Sequence, residues 1–182
     1  MPLLSIVTRT FNGRPEGLAR CQESVRSLRH ACEVQHYLAV DDQQRGVGWS
    51  HLNLKTISPN LTGDYVMLLD DDDYLVDNQL LISLASLALD HPDVVITKMD
   101  MGDRVLPPES DWGGRPGPSY IAASCPIVKR SVWLEHVGFF TDEYEGDYRF
   151  ISSIFDCPRQ HKIAWLNHVV SRVGRVSHGA AE

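Results

Sequence analysis

The chain has 182 residues, 43% hydrophobic and 23% charged, with 17 basic against 24 acidic side chains and a formal charge of −7. That length is one domain's worth and buries enough surface for a core without staples. The acidic balance argues against a broad nucleic-acid or membrane-surface binder, which wants a basic face.

Leu3 to Thr8 is a short run of branched residues, the length of a buried strand, and it ends at the turn signal Phe11-Asn12-Gly13. Pro15 and Glu16 suit a first helical turn, and Leu18, Cys21, Val25 and Leu28 recur at helical spacing, so a helix is predicted from Pro15 to about Arg29. Val34 to Val40 reads as a second strand stopped by Asp41-Asp42, followed by a glycine-containing loop and a helix from Trp49 to about Ile57. Tyr65 to Leu69 is the most hydrophobic strand and runs straight into Asp70-Asp71-Asp72-Asp73. Asp77 then caps a predicted helix from Asn78 to Leu89, and Val94 to Lys98 is a fourth strand. This alternation predicts an α/β fold, a Rossmann-like, mainly parallel sheet with helices on both faces.

The second half is less regular. Met101 to Ser119 is rich in proline and glycine and reads as a long loop, a kind of segment that tends to be functional or mobile. A strand near Tyr120 to Pro126, helices from Ser131 to His136 and from Asp147 to Phe155, and strands at Ile163 to Leu166 and Val169 to Val173 complete the reading. Cys21, Cys32, Cys125 and Cys157 stand far apart without a C-x-x-C pair, so neither a zinc site nor a disulfide framework is indicated. No basic leader opens the chain, and no apolar run reaches the roughly 18 residues of a membrane span. A cytoplasmic protein is the expectation.

The four consecutive aspartates are the sharpest feature. Ligands of open α/β sheets bind outside the carboxyl ends of the strands, and clustered like charges call for a counter-charge. A hard divalent cation, Mg²⁺ or Mn²⁺, meets that need with one or two carboxylates and substrate phosphates. The plain alternative is a solvated acidic loop that caps the next helix. An EF-hand fails because Tyr74 and Val76 stand where ligands are required. An aspartyl-phosphate phosphatase would carry its motif after the first strand, and a nucleotidylyltransferase would need a glycine-rich loop where Thr8 to Arg14 has one glycine.

Five segments in order resemble a family 2 glycosyltransferase of the GT-A fold: Ser5 to Asn12, Leu38 to Asp42, the D-x-D-D strand Gly63 to Tyr74, Ser124 to Glu143, and Gly146 to Phe150. The resemblance implies one catalytic domain over 1–182, with a nucleotide-sugar-binding half (1–100) and an acceptor and catalytic half (101–182). By the same resemblance Arg9 and Phe11 line the nucleobase pocket, and Asp42 with Asp41 accepts from base or ribose. Asp70, with Asp71 beside it, contacts the ribose or a metal-bound water, while Asp72 ligates Mn²⁺ or Mg²⁺ on the diphosphate. Asp147 is the general base, with Glu143 and Glu145 as rivals, and His178 is a late metal or diphosphate contact.

The implied reaction is an inverting transfer from a nucleoside-diphosphate sugar, with UDP as the nucleotide, to an acceptor hydroxyl. The acceptor is left open among a saccharide, a glycolipid, a protein and a modified nucleobase. A nucleotide-sugar-binding protein without transfer and another metal-dependent phosphate enzyme stand as alternatives. His51, His136 and His168 read as structural, and Arg104 and Arg115 as solvated loop residues. Two departures from the family pattern stand out: His51-Leu52-Asn53 lacks the arginine of the usual A-R-N, and Gly146 replaces the first acid of E-D. The short catalytic half leaves a small acceptor surface or one completed by a partner, an oligomer included.

Overall fold

A computed structural model describes residues 3–11, 13–28, 34–76, 80, 84, 86, 90–141 and 145–174. Its elements are β1 (Leu4–Phe11), α1 (Pro15–Leu28), β2 (Val34–Asp41), α2 (Val47–Ile57), β3 (Tyr65–Leu68), β4 (Asp73–Leu75) and β5 (Val94–Asp100), then β6 (Val105–Leu106), β7 (Pro126–Lys129), α3 (Arg130–His136), α4 (Gly146–Phe155) and β8 (Ile163–Val173). Of the helix predicted over 78–89, Leu80, Leu84 and Ser86 are helical, and the other positions lie outside the described residues, as does Arg29.

The strands form one sheet, ordered β2-β1-β3-β7-β5-β8-β4, with β6 on β5. Parallel pairing joins β1 to β2 and β3, and β5 to β8, and carries most of the ladder. The antiparallel pairs come from β7, wedged between β3 and β5, from β6 on β5, and from β4 on β8. The period-two alternation of the strands explains why both faces are covered. Leu4, Ile6, Tyr65, Met67 and Val95 turn to one side, against Cys21, Val25 and Leu28 of α1 and against Leu80 and Leu84. Val7, Val66, Leu68, Val94 and Ile96 turn to the other, against Leu54 of α2, Trp133 of α3 and Phe150 of α4.

Three expectations are corrected. The strand placed at Tyr120 to Pro126 begins only at Pro126, because Ser119 sits at a φ of 61° and Cys125 N–H donates to Ala122 O, which keeps the preceding segment in turns. The two late strands are one: β8 runs through Asn167 and His168 by shifting register against β5 between Ile96 and Met99, so bulges absorb the polar interruption. The loop over 101–119 is pinned as well. Val105–Leu106 pairs with β5, Trp112 meets Trp165 edge-on at 4.9 Å, and Lys98 Nζ lies 4.6 Å from the Trp112 ring while pairing with Glu109. This segment is therefore a fixed wall. Among the described residues, no helix is long and apolar enough to cross a membrane.

Candidate active site

Parallel pairing brings β1, β2 and β3 to a common carboxyl edge, where open sheets bind their ligands. At that edge Asp73 N–H donates to Asp70 O at 3.0 Å, closing the four aspartates into a turn, a setting that suits aspartate. The turn sorts them: Asp71 and Asp73 are buried, Asp70 and Asp72 half-buried. Beside them opens a cleft of about 780 Å³, well within the usual range for ligand sites. Its lining includes Arg9, Phe11, Asp41, Arg104, Asp147 and the aspartate turn.

Two arginines hold the acidic cluster together. Arg9 donates through Nε and Nη2 to the two oxygens of Asp70, both at 2.7 Å, and through Nη1 to Asp147 Oδ1 at 3.2 Å and His51 Nε2 at 3.0 Å. An arginine only donates, so His51 Nε2 accepts and its Nδ1–H is left for the carbonyl of Thr141, which it meets. One guanidinium thus ties the D-x-D turn to α4 and α2. Arg14 donates to Asp72 Oδ2 at 2.8 Å and Asp71 Oδ1 at 3.2 Å, with its guanidinium 5.2 Å from the centre of the Phe11 ring.

Burial decides which acids are charged. It pushes Asp73 up to about 9, with repulsion from Asp70 and Asp72 adding to the shift and Arg9 opposing it, so Asp73 is a neutral acid at pH 7. Burial also raises Asp71, against Arg14. The run therefore carries less charge than its sequence suggests. Asp147 is raised by desolvation, opposed by Arg9 and reinforced by Asp70, so its carboxyl sits above the ordinary range. Burial works against the charge on Arg9, but Asp70 and Asp147 prevail and its pKa rises.

Most of the residues named from sequence share this cleft: Arg9, Phe11, Asp41, Asp70, Asp71, Asp72 and Asp147 all line it. Asp42 does not. Asp41 is the last residue of β2 and turns inward, while Asp42 follows in the turn, exposed and outside the lining. Asp41 Oδ2 accepts Gly46 N–H at 2.9 Å, and its Oδ1 is buried without a protein partner, an acceptor that a ligand donor would satisfy. Glu145 lines the mouth, whereas His178 and Glu143 lie outside the described residues. Arg104 belongs to the lining, and Arg115 pairs instead with Asp156 at 2.8 Å.

Sequence reasoning passed over His51 and Arg14. The signal for His51 lay in the two departures from the family pattern, which are one feature in space. A Cβ at position 146 would run into the His51 ring, so the histidine on α2 takes up space that only a glycine opening α4 leaves. The ring also packs 5.4 Å from Phe140, itself stacked on Phe150 at 4.5 Å, which locks α2 to α4.

No family model and no curated protein matches the chain. Solved structures do. The chain aligns with Staphylococcus aureus TarS 1-349 in complex with UDP at a TM-score of 0.67 and 15% identity, covering 93% of this chain and 60% of that one. The same TarS fragment in complex with UDP-GlcNAc aligns at 0.63 and 14%, over 93% and 58%. A glycosyltransferase involved in the glycosylation of the major capsid of PBCV-1 aligns at 0.61 and 12%, over 94% and 93%. The chain thus spans about three fifths of the TarS 1-349 fragment. The likeness fixes the fold as GT-A.

Proposed function

We propose that this chain is a metal-dependent, inverting glycosyltransferase that moves a sugar from a nucleoside-diphosphate donor, UDP-linked, to an acceptor hydroxyl. The observation that carries the reading is one cleft with an acidic turn on one wall and Asp147 on another, held in register by Arg9. The solved structures of the same fold with UDP and UDP-GlcNAc support the choice of donor.

The buried, unpartnered Oδ1 of Asp41 receives an N–H or O–H of the nucleoside, and Phe11 supplies an apolar surface for the base. The turn suits a hard cation such as Mn²⁺ or Mg²⁺: it offers oxygen donors only, Asp70 and Asp72 face the cleft, and the Arg14 that neutralises Asp72 is half exposed. When bound, such a cation supplies Lewis-acid stabilisation of the departing diphosphate. Arg104, on the fixed wall, adds positive charge near that leaving group.

Asp147 takes the proton of the acceptor hydroxyl. Its raised pKa makes it a better base than an ordinary aspartate, and its place in the first turn of α4 fixes its direction. Arg9 orients Asp147 and opposes the rise in its pKa, which favours the base form that an oxocarbenium-like transfer needs.

A thermal-shift screen of nucleoside diphosphates and nucleotide sugars, with and without Mn²⁺, tests the donor class. A ligand at a hundred times its Kd adds about 2.7 kcal/mol, a shift of a few degrees at this size. Release of UDP from the stabilising nucleotide sugar, abolished in Asp147→Asn with nucleotide binding intact, is the expected result. Stabilisation by no nucleotide under either condition refutes the reading.

A further inference from the structure

At the other end of β5 from the cleft, three side chains from separate segments converge. His136 closes α3, Cys157 follows α4, and His161 precedes β8. One ligand-capable atom from each lies within 4.8 Å of the others. The His136 and His161 Nε2 atoms face each other at 3.3 Å, with the rings edge-on.

One ring proton of this pair is committed elsewhere, and a carboxylate draws the other. Ser153 Oγ–H donates to Phe150 O at 2.7 Å, so Ser153 Oγ must accept from His136 Nδ1–H, 2.8 Å away. His161 Nδ1 lies 3.7 Å from Asp93 Oδ2, and that carboxylate favours a proton on the near nitrogen. Both Nε2 atoms then present lone pairs to one another, an arrangement that calls for a cation between them. Two nitrogens bound to a tetrahedral zinc at its normal bond lengths stand about 3.3–3.4 Å apart, the separation the pair already has. The carboxylate beside the far nitrogen of His161 is of the kind that orients metal-binding imidazoles, and the Ser153 hydroxyl fixes the ring of His136.

We propose that His136, Cys157 and His161 bind one Zn²⁺, with water in the fourth position. The ion joins the end of α3, the exit of α4 and the entry to β8, and it is separate from the divalent cation of the cleft. Nothing in the cysteine spacing pointed here: Cys157 and His161 stand four apart, and the third ligand comes from another helix.

The test uses the full chain, stripped with a chelator and titrated with Co²⁺, a tetrahedral reporter that Zn²⁺ displaces. Intense visible d–d bands and a near-ultraviolet thiolate-to-cobalt charge-transfer band are expected, saturating at one equivalent per chain and bleached by Zn²⁺. Cys157→Ser removes the charge-transfer band. Ser153→Ala, which leaves all three ligands in place, weakens zinc affinity about tenfold or more. Asp72→Ala leaves the spectrum unchanged, which separates this site from the cleft. A spectrum without charge transfer, or a band that survives Cys157→Ser, overturns the proposal. So does an imidazole pair shown by ¹⁵N NMR to share a proton at Nε2 while ignoring added zinc.

Discussion

The two ends of β5 gather polar side chains by opposite means. At the carboxyl end the groups are charged, the donors are oxygens, and the protein's own arginines hold them together: Arg9 across Asp70 and Asp147, Arg14 across Asp71 and Asp72. At the amino end the groups are two imidazoles and a thiol, with the Nε2 atoms of the two rings facing each other. The contrast teaches where a cation is a reagent and where it is a fastener. An acidic cluster that brings its own counter-charges folds without a metal and can exchange those charges for a substrate complex. Two facing imidazole nitrogens beside a thiol offer a ready-made place for an ion to join separate segments.

The contrast can be broken or sharpened in several ways. The largest effect falls on Asp147: replacement by Asn should lower transfer by about a hundred- to ten-thousand-fold while nucleotide-induced thermal shifts persist. Arg9→Ala should follow. It leaves Asp70 and Asp147 facing each other with their shared partner gone, at a cost of about 3 kcal/mol in denaturant unfolding. If stability is unchanged, the arginines are not what holds the charged end. Saturating Zn²⁺ should add about 2.7 kcal/mol at a hundred times its Kd, in the parent and in Asp72→Ala alike, and Mg²⁺ should not reproduce the effect. Gly146→Ala should cost about 2 kcal/mol through overpacking against His51, and His51→Ala in the same chain should recover part of it.

The smallest effect is a slope. Asp73 carries a folded pKa of about 9, above its unfolded value of 3.8, so the folded state binds the extra proton between those limits. The stabilisation is complete below the lower value and drains away as pH climbs through the upper one. In chelator, thermal melts should fall in midpoint from neutral to alkaline pH, and Asp73→Asn should flatten that decline.

Much of the charged end was legible because the sequence broadcasts it. An apolar strand that runs into four aspartates is a local pattern, and strand ends in a parallel sheet share one edge, so Asp70 to Asp72 and the end of β2 could be placed together before any coordinates. Asp147 was named through the resemblance of Gly146 to Phe150 to the family's E-D segment, and the structure puts it in the lining of the same cleft. Asp42 misled because adjacent residues at a strand end face opposite ways, and only the final pairing, Phe11 with Asp41, decides which one turns inward. The wedging of β7 between β3 and β5, and the bulges that carry β8 past Asn167 and His168, depend on long-range partners that leave no periodic trace. His51 and the His136–Cys157–His161 group were unreadable for the same reason, since each exists only where distant segments meet.

The interlock of His51 with Gly146 also constrains history. A side chain at 146 and an imidazole at 51 compete for one volume, so the two positions cannot drift independently. Of the two orders of substitution, only one avoids collision: the bulky group at 146 is lost first, and the ring enters the space it vacated. Reversion is barred until the ring leaves. While the imidazole stays, sterics alone hold position 146 to glycine, whatever sugar or acceptor the cleft takes.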